Sequence, residues 1–317
     1  MKVVVIGFGS IGKRHVNNLL SLGILDVVLL RTSKKANELN LPEITKYEEI
    51  IKINPDFVIV SNPTSLHFQT LKFLVQNQFN ILCEKPFLYQ PEEWDLLKPL
   101  LENYKGKANI VFNLRYHPCI KKVKELIFEG LLGKIYSARF FVGQYLPDWR
   151  PETNHLLSYS ASKKMGGGVV MDLVHEIDLA QYLLGKPSGE IHSIVSKISN
   201  VTVDSADIAE ILYSTINKEI VSIHMDYLYR GYSRHFSICG KEANLYCDLF
   251  KNTVKITGDK NKQIENYEFQ DFERNDMYIN LVKDYIKELT ETKYKCSLPS
   301  FFENKTVMQT CFKINNY

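Results

Sequence analysis

The sequence has no apolar run that approaches the ~20 residues needed to span a bilayer, and no internal repeat or low-complexity segment. It also lacks an excess of charge, since 39 basic residues face 36 acidic ones and the formal net charge is +3. A chain without a strong field gives no reason to expect nucleic acid or an anionic membrane as a partner. What remains is a globular chain of 317 residues, long enough for two hydrophobic cores.

Paired cysteines are also missing. The six cysteines are scattered, and none forms a CxxC pair or has metal-ligand spacing, so we expect no metal site. Free thiols in a reducing cytoplasm are the simplest interpretation. The first apolar run is short and ends in a glycine loop, which predicts a strand and not a signal peptide.

Residues 1–117 alternate between short apolar runs and helical patterns. Such runs are typical of strands buried on both faces of a parallel sheet. The expected strands are residues 2–7, 26–30, 56–63, 80–86 and 108–116, and the expected helices between them include 46–52, 65–77 and 91–103. The alternation predicts an α/β Rossmann domain with a doubly wound sheet.

A glycine motif follows the first strand and begins the first helix. In this context the glycines allow a tight turn and let the backbone approach a pyrophosphate, which the helix N-terminus then faces. A glycine-rich turn without a ligand is the alternative. The expected cofactor-binding residues of this motif are Gly7, Phe8, Gly9, Ser10, Ile11 and Gly12.

The acid that commonly binds the ribose 2′-hydroxyl of NAD is missing after the second strand. Arg31 and Thr32 stand there, followed by Ser33 and two lysines. A guanidinium with hydroxyls beside it can bind a 2′-phosphate. We therefore expect NADP or NAD as cofactor, with NADP favoured; a solvated basic loop is the alternative.

Residues 118–317 show a different pattern. Alternating runs predict long, half-buried strands of a large, mostly antiparallel sheet, and a helix follows at 275–290. The expected strands are 134–143, 190–197, 207–215, 219–228, 234–241, 243–250, 252–258 and 264–270. We expect an α+β domain for substrate binding and oligomerisation, with the open face of its sheet covered in a homodimer or homotetramer.

Four segments in order carry a resemblance to a known family. They are Gly7–Gly12, Ser61-Asn62-Pro63 with His67, Glu84-Lys85-Pro86, and Gly166–Asp178. Over nearly its full length the chain resembles the glucose–fructose oxidoreductase/inositol dehydrogenase (Gfo/Idh/MocA) family. The resemblance implies an NAD(P)-dependent dehydrogenase or reductase, which transfers a hydride between nicotinamide and a secondary alcohol or ketone. The implied substrate is a sugar, sugar phosphate, nucleotide sugar or cyclitol.

Shorter matches resemble members of bacterial surface-sugar pathways, namely residues 113–118, 145–151 and 158–161. The family's common pattern places the histidine four residues after the aspartate, whereas Asp172 and His175 are three apart here. His175 therefore matches the family's motif better than Asp172 does, although the surface-sugar members share the shorter spacing.

Three residues are the expected catalytic groups. Lys85 lies where a parallel strand ends, which is where ligands of such sheets bind, and it can hold the substrate hydroxyl and relay its proton. His175 is the expected general acid/base, and Asp172 would bind a substrate hydroxyl or orient the histidine. On one helix, residues 172–184, Asp178 would join them on a polar face opposite the apolar one. Solvated polar residues are the alternative for each.

Further residues complete the predicted site. Ser61, Asn62, Pro63 and His67 are expected near the nicotinamide with Glu84, which can orient Lys85, although a capping or packing role is equally open for His67. Arg150 could bind an anionic group or form an ordinary ion pair, and Trp149 could stack on a sugar or belong to the core. The expected substrate-binding residues are Arg115, Tyr116, His117, Trp149, Arg150, Asp172 and His175.

Two other functions remain possible from the sequence. A dinucleotide-binding sensor can share the fold without catalysis. An enzyme of the same fold could also reduce a non-sugar ligand. Lys85 together with His175 favours catalysis over sensing, and the polar residues 172, 175 and 178 favour a polyol.

Overall fold

The computed structural model describes residues 1–33, 37–149 and 167–315. The chain divides into two compact units, each with its own sheet. The first comprises Met1–Asn113 and Arg274–Lys305, and the second comprises Leu114–Glu273 and Thr306–Tyr317. This differs from the expected division at residue 117, because a C-terminal segment belongs to the first unit.

The described residues contain fourteen strands and nine α-helices. The strands are β1 (Lys2–Ile6), β2 (Asp26–Leu30), β3 (Glu43–Ile44), β4 (Phe57–Val60), β5 (Ile81–Glu84), β6 (Ala108–Val111), β7 (Ile135–Gln144), β8 (Pro187–Ser196), β9 (Ile208–Thr215), β10 (Ile220–Asp226), β11 (Tyr232–Gly240), β12 (Asn244–Asp248), β13 (Thr253–Thr257) and β14 (Gln263–Glu268). The helices are α1 (Ser10–Ser21), α2 (Glu48–Ile53), α3 (His67–Gln76), α4 (Pro91–Glu102), α5 (Pro118–Phe128), α6 (Val169–Asp172), α7 (His175–Leu184), α8 (Arg274–Thr290) and α9 (Phe301–Ile314).

The first sheet is parallel throughout, in the order β3-β2-β1-β4-β5-β6. Its strands are short apolar runs with both faces buried, as the sequence predicts. The strand order reverses between β1 and β4, and ligands of such sheets bind outside the carboxyl ends of the strands at that point. Gly7 follows β1 and Ser61 follows β4, so the expected cofactor residues flank this switch point.

Helix α8 belongs to the first unit because its aromatic and polar side chains pack against, and hydrogen-bond to, residues of that unit. The Tyr285 ring packs edge-on against Phe57 at 5.5 Å, and its hydroxyl donates to the Lys107 carbonyl over 3.0 Å. Asn275 on the same helix donates to Asn18 of α1 over 2.8 Å. These contacts are between residues far apart in the chain, so strand and helix periodicity could not predict them.

The second sheet has eight strands in the order β14-β13-β12-β11-β7-β10-β9-β8. It is antiparallel except where β10 runs parallel to β7. Helices α5 and α7 contact one face of this sheet. Strand alternation places Ile194, Leu212, Ile220 and Tyr246 on the other face, where each is more than 40% exposed within the single chain. The α/β plus α+β fold class is confirmed.

The predicted single helix over residues 172–184 is wrong. Helix α6 ends at Asp172, Leu173 has the non-helical angles φ −98° and ψ 24°, and α7 begins at His175. The amide of Glu176 donates to the Leu173 carbonyl over 3.1 Å, which closes a tight turn between the helices. Asp172 therefore lies on a different helix from His175 and Asp178, and Asp178 is buried.

Candidate active site

The glycine loop after β1 is shaped to admit a dinucleotide. Gly7 has φ +91°, and a Cβ on it would lie 2.7 Å from the Asn62 backbone nitrogen. A Cβ on Gly12 would lie 2.2 Å from the Gly7 carbonyl oxygen, so both positions require glycine. A Cβ on Gly9 would meet no atom within 4 Å, which leaves open space before the first turn of α1.

That open space faces a helix N-terminus suited to phosphate. Gly9 is the N-cap of α1, no side chain caps this end, and its first turn carries no acidic residue. Backbone N–H groups at an uncapped helix start, together with the helix dipole, favour an anionic ligand. Gly7–Gly12 therefore fits the pyrophosphate of a dinucleotide.

The loops after β4 and β5 are joined by His67. Its Nδ1 lies 3.0 Å from the Pro86 carbonyl oxygen, and its Nε2 lies 3.0 Å from the Asn62 carbonyl oxygen. Burial lowers the pKa of the His67 imidazole, although both carbonyls oppose that shift. The imidazole lies between the two backbone carbonyls and donates to at least one of them, so His67 has a packing role that keeps the two loops together.

Neighbouring residues of the β4 loop are fixed as well. The Ser61 hydroxyl lies 3.0 Å from the Ile6 carbonyl oxygen, to which it donates. Asn62 donates through Nδ2 to the Thr70 hydroxyl over 3.0 Å. These bonds hold the loop that follows β4 against the glycine loop, with Pro63 preceding the short helical turn Thr64–Leu66.

Glu84 binds a histidine that sequence reasoning missed. Its Oε1 lies 2.8 Å from His15 Nε2, and both side chains are buried. His15 stands on α1, one turn after Gly12, and its ring packs edge-on against Tyr278 at 6.0 Å. A histidine one turn past the glycine motif was the only sequence signal for this contact. Lys85 follows β5 directly and is half-buried.

Arg31 follows β2 and is bound to a carboxylate. Its Nη1 donates to Glu43 Oε1 over 2.8 Å, and its guanidinium carbon lies 5.6 Å from the centre of the Phe8 ring. Thr32 beside it is exposed. The guanidinium thus lies near the glycine loop, as expected, but with a counter-charge that the sequence did not predict.

In the second unit, Asp172 is held by a tyrosine. The hydroxyl of Tyr227 donates to Asp172 Oδ2 over 2.6 Å, and both side chains are buried. The Trp149 ring packs edge-on against Tyr227 at 5.3 Å, and its Nε1 donates to the Gln144 carbonyl. His175, 8% exposed, begins the next helix. Tyr227 was missed; its only sequence signal is its place near the end of the strand predicted over residues 219–228, and it directly follows the observed β10.

Arg115 lies in the second unit and is ion-paired. Its Nε donates to Asp178 Oδ2 over 2.9 Å, and its guanidinium carbon lies 4.3 Å from the centre of the Tyr182 ring. Burial raises the pKa of the Asp178 carboxyl, and the charge of Arg115 opposes that rise. These contacts hold Arg115 against α7. They explain why Asp178 does not face a substrate from the predicted polar helix face.

Tyr116 and His117 are buried beside it. The Cys119 amide donates to His117 Nδ1 over 3.2 Å, so His117 caps α5. The ring of Phe272 packs on the same imidazole at 4.6 Å. Arg150, a predicted substrate-binding residue, lies outside the described residues, as do residues 158–161 and Gly166.

Within residues 1–33, 37–149 and 167–315, no helix combines the length and apolarity needed to cross a membrane. Likewise, no three His, Cys, Asp or Glu side chains in them are grouped so that they could bind a metal ion.

Family models match both halves of the chain. An oxidoreductase family model with an NAD-binding Rossmann fold matches residues 1–112, and the GFO/IDH/MocA C-terminal domain model matches residues 120–246. The chain belongs to the Gfo/Idh/MocA family. The resemblance inferred from four short segments is thereby confirmed, as is the assignment to NAD(P)-dependent oxidoreductases.

Relatives in the Gfo/Idh/MocA family extend over most of the chain. Myo-inositol 2-dehydrogenase of Thermotoga maritima is 24% identical over 309 residues, which cover 91% of this chain and 88% of that protein. UDP-N-acetylglucosamine 3-dehydrogenase of Acidithiobacillus ferrooxidans is 24% identical over 261 residues, covering 81% and 76%. A solved structure of levoglucosan dehydrogenase in complex with NADH matches with a TM-score of 0.88 at 20% identity, covering 99% of this chain and 95% of that one. At this identity the structural likeness shows the fold.

Proposed function

We propose that this Gfo/Idh/MocA oxidoreductase transfers a hydride between nicotinamide and a secondary hydroxyl or ketone of a sugar, sugar phosphate, nucleotide sugar or cyclitol. The observation that carries the proposal is that a member of this family keeps both Lys85 at the carboxyl end of β5 and His175 beside Asp172. Bound at the glycine loop, the cofactor would supply the hydride acceptor or donor. The chain's own residues must then transfer the proton and bind the substrate hydroxyls.

Each catalytic residue is assigned a distinct part of that task. Lys85 binds the reacting hydroxyl and takes or returns its proton, and its ammonium stabilises the developing alkoxide. His175 is the acid/base partner. Asp172 binds a second hydroxyl or orients His175, and the 2.6 Å hydrogen bond from Tyr227 keeps its carboxylate in one orientation.

Polyhydroxylated rings are the substrate class that the relatives support. Their names specify myo-inositol, levoglucosan and UDP-N-acetylglucosamine, which differ in charge and size but share vicinal hydroxyls on a ring. Buried carboxylate and imidazole groups such as Asp172 and His175 suit hydroxyls better than an apolar ligand. The proposed remaining substrate contacts are Arg115, Tyr116, His117, Trp149 and Arg150, and a role in bacterial surface-sugar metabolism belongs to the same proposal.

The cofactor contacts are proposed from the geometry of the first unit. Gly7–Gly12 would hold the pyrophosphate, and Arg31 with Thr32 would lie at the adenosine ribose. Ser61, Asn62, Pro63, His67, Glu84 and Lys85 would line the nicotinamide end. Arg31 taken by itself favours NADP; the choice between the cofactors depends on that guanidinium and on Glu43, to which it is bound.

The open face of the second sheet supports association of like chains. Ile194, Leu212, Ile220 and Tyr246 are exposed on it in the isolated chain, and large apolar side chains exposed on a sheet face are stabilised by covering. A closed homodimer, or a homotetramer built from dimers, would cover it with a second copy. All six cysteines are free, which supports a reducing cytoplasm as the location.

A substrate screen tests the proposal. Purified protein with NAD(H) or NADP(H) is mixed with sugars, sugar phosphates, nucleotide sugars and cyclitols, and absorbance at the nicotinamide band is followed. We expect turnover with at least one polyol and none in Lys85→Ala. Cofactor binding without turnover of any member would instead support a dinucleotide sensor, and turnover of apolar carbonyls alone would support a non-sugar reductase.

A further inference from the structure

A buried carboxylate neutralises the arginine at the expected ribose site. Glu43 Oε1 accepts hydrogen bonds from Arg31 Nη1 at 2.8 Å and from Asn37 Nδ2 at 2.9 Å. The Glu43 side chain is 7% exposed, and that of Arg31 is 22% exposed. A carboxylate held this closely in a largely dry position is a fixed counter-charge, unlike a surface ion pair that water screens.

The backbone places this ion pair at the cofactor edge of the sheet. Glu43 begins β3 and pairs in parallel with Leu29 near the end of β2. The amide of Arg31 donates to the Ile44 carbonyl over 3.1 Å, which joins the two strand ends. The ribose of a dinucleotide binds at this end of the second strand in Rossmann domains. The two-residue strand β3 therefore supplies, from a neighbouring segment, the acid that is missing after β2.

NADP and NAD make opposite demands on such a pair. A 2′-phosphate carries about −1.5 to −2 charges near pH 7 and is bound by guanidinium groups whose positive charge is not already neutralised by a carboxylate. Next to Glu43, the positive charge of Arg31 is already balanced, and the carboxylate repels a phosphate. The neutral ribose hydroxyls of NAD are not repelled by the Glu43 carboxylate. A hydroxyl can accept a hydrogen bond from a donor such as Arg31 and donate one to an acceptor such as Glu43.

We propose that Glu43 determines the cofactor specificity of this enzyme by holding Arg31 in an ion pair, and thereby favours NAD over NADP. The inference depends on dinucleotide binding by the first unit and not on the identity of the substrate. It replaces the preference for NADP that Arg31 suggests when the residue is considered without its partner.

The decisive variant is Glu43→Gln, studied by direct binding. Gln keeps the size of the side chain, and its amide oxygen can still accept from Asn37, but the charge is removed. Dissociation constants for NADH and NADPH are measured by nucleotide fluorescence in wild type and variant. Removing the unit charge that neutralises Arg31 should strengthen NADPH binding roughly tenfold or more, and should change NADH binding by no more than about threefold. Higher salt should reduce the gain.

Two controls separate this effect from others. Glu102 is exposed at the end of α4, the helix that precedes the strand at the opposite edge of the sheet. Glu102→Gln removes the same charge there and should leave both dissociation constants unchanged. Arg31→Ala added to Glu43→Gln should abolish the gain for NADPH, because the guanidinium is the group that the variant releases.

The outcomes are distinct. Tighter NADPH binding that requires Arg31 supports the proposal. A wild-type preference for NADPH, an unchanged NADH/NADPH ratio in Glu43→Gln, or equal weakening of both cofactors would overturn it, the last because Glu43 would then be only structural. If wild type binds neither cofactor, the cofactor assignment itself fails. If both bind but no polyol is turned over, the substrate proposal fails while this one stands.

Discussion

Replacing Tyr227 by Phe removes one hydroxyl from the second unit and leaves the ring in place. That hydroxyl donates to Asp172 over 2.6 Å, and Tyr227 is fully buried, so water cannot replace the lost donor without a rearrangement. The edge-on packing of Trp149 against the ring is retained, and no cavity larger than the hydroxyl is made. The change therefore tests the orientation of the Asp172 carboxylate with little change in packing.

The size of the effect follows from the strength of that bond. Hydrogen bonds to charged groups contribute about 1.5–3 kcal/mol, and about 1.4 kcal/mol corresponds to a tenfold change in rate. If the carboxylate must stay oriented in the transition state, kcat/KM should fall roughly 10- to 100-fold. Cofactor affinity should not change, because the glycine loop lies in the other unit of the chain.

Tyr213, on β9 of the same unit, provides a matched control. It is also buried, but its hydroxyl has no hydrogen-bond partner among the described residues. Tyr213→Phe should therefore leave kcat/KM unchanged and raise the melting temperature or leave it unaltered, since it removes an unsatisfied buried group. Steady-state kinetics with the polyol found by the screen, together with thermal unfolding, measures both variants. Equal kinetics in Tyr227→Phe and Tyr213→Phe would refute the positioning role of Tyr227.

Three further predictions concern the proposed site and interface. Lys85→Ala and His175→Ala should each bind cofactor normally but lose roughly 10²–10⁴-fold in turnover, measured by steady-state kinetics. The double variant should lose much less than the product of the two single losses, because the residues act together. Near wild-type turnover in Lys85→Ala would contradict the mechanism. Gly9→Ala should weaken cofactor binding without lowering the melting temperature, whereas Gly12→Ala should lower both, because only the Gly12 Cβ meets backbone. Light scattering at micromolar concentration should show a dimer or tetramer that Leu212→Asp dissociates, and a monomeric wild type would exclude the proposed interface.

The strands of both sheets were predictable because their patterns are local. Continuous apolar runs predict strands buried on two faces, and alternating runs predict strands buried on one, whatever their partners are. The observed β2 has the predicted bounds, and the long strands β7 to β14 lie within a few residues of theirs. Periodicity did not reveal that β10 runs parallel to β7 or that the two-residue β3 exists, since both depend on pairing.

The helix break between Asp172 and His175 shows the limit of periodicity. Residues 172–184 have a helical pattern throughout, yet the turn at Leu173 divides them and Asp178 is buried against Arg115. An acidic residue on a helix is expected at the surface unless a partner is known. Its partner here is 63 residues away, so burial of Asp178 could not be read from its own segment.

By itself, the sequence determined the two-domain fold class, the family and the positions of the glycine loop, Lys85, Asp172 and His175, because short motifs and periodicity are local properties. Only the tertiary structure decided which side chains form hydrogen bonds or ion pairs with the residues of the site. His15 meets Glu84 across 69 residues, Tyr227 meets Asp172 across 55, and Glu43 meets Arg31 across 12. Each contact joins residues that are separated along the chain and brought together by folding, and its strength comes from burial, which arises only when the chain folds.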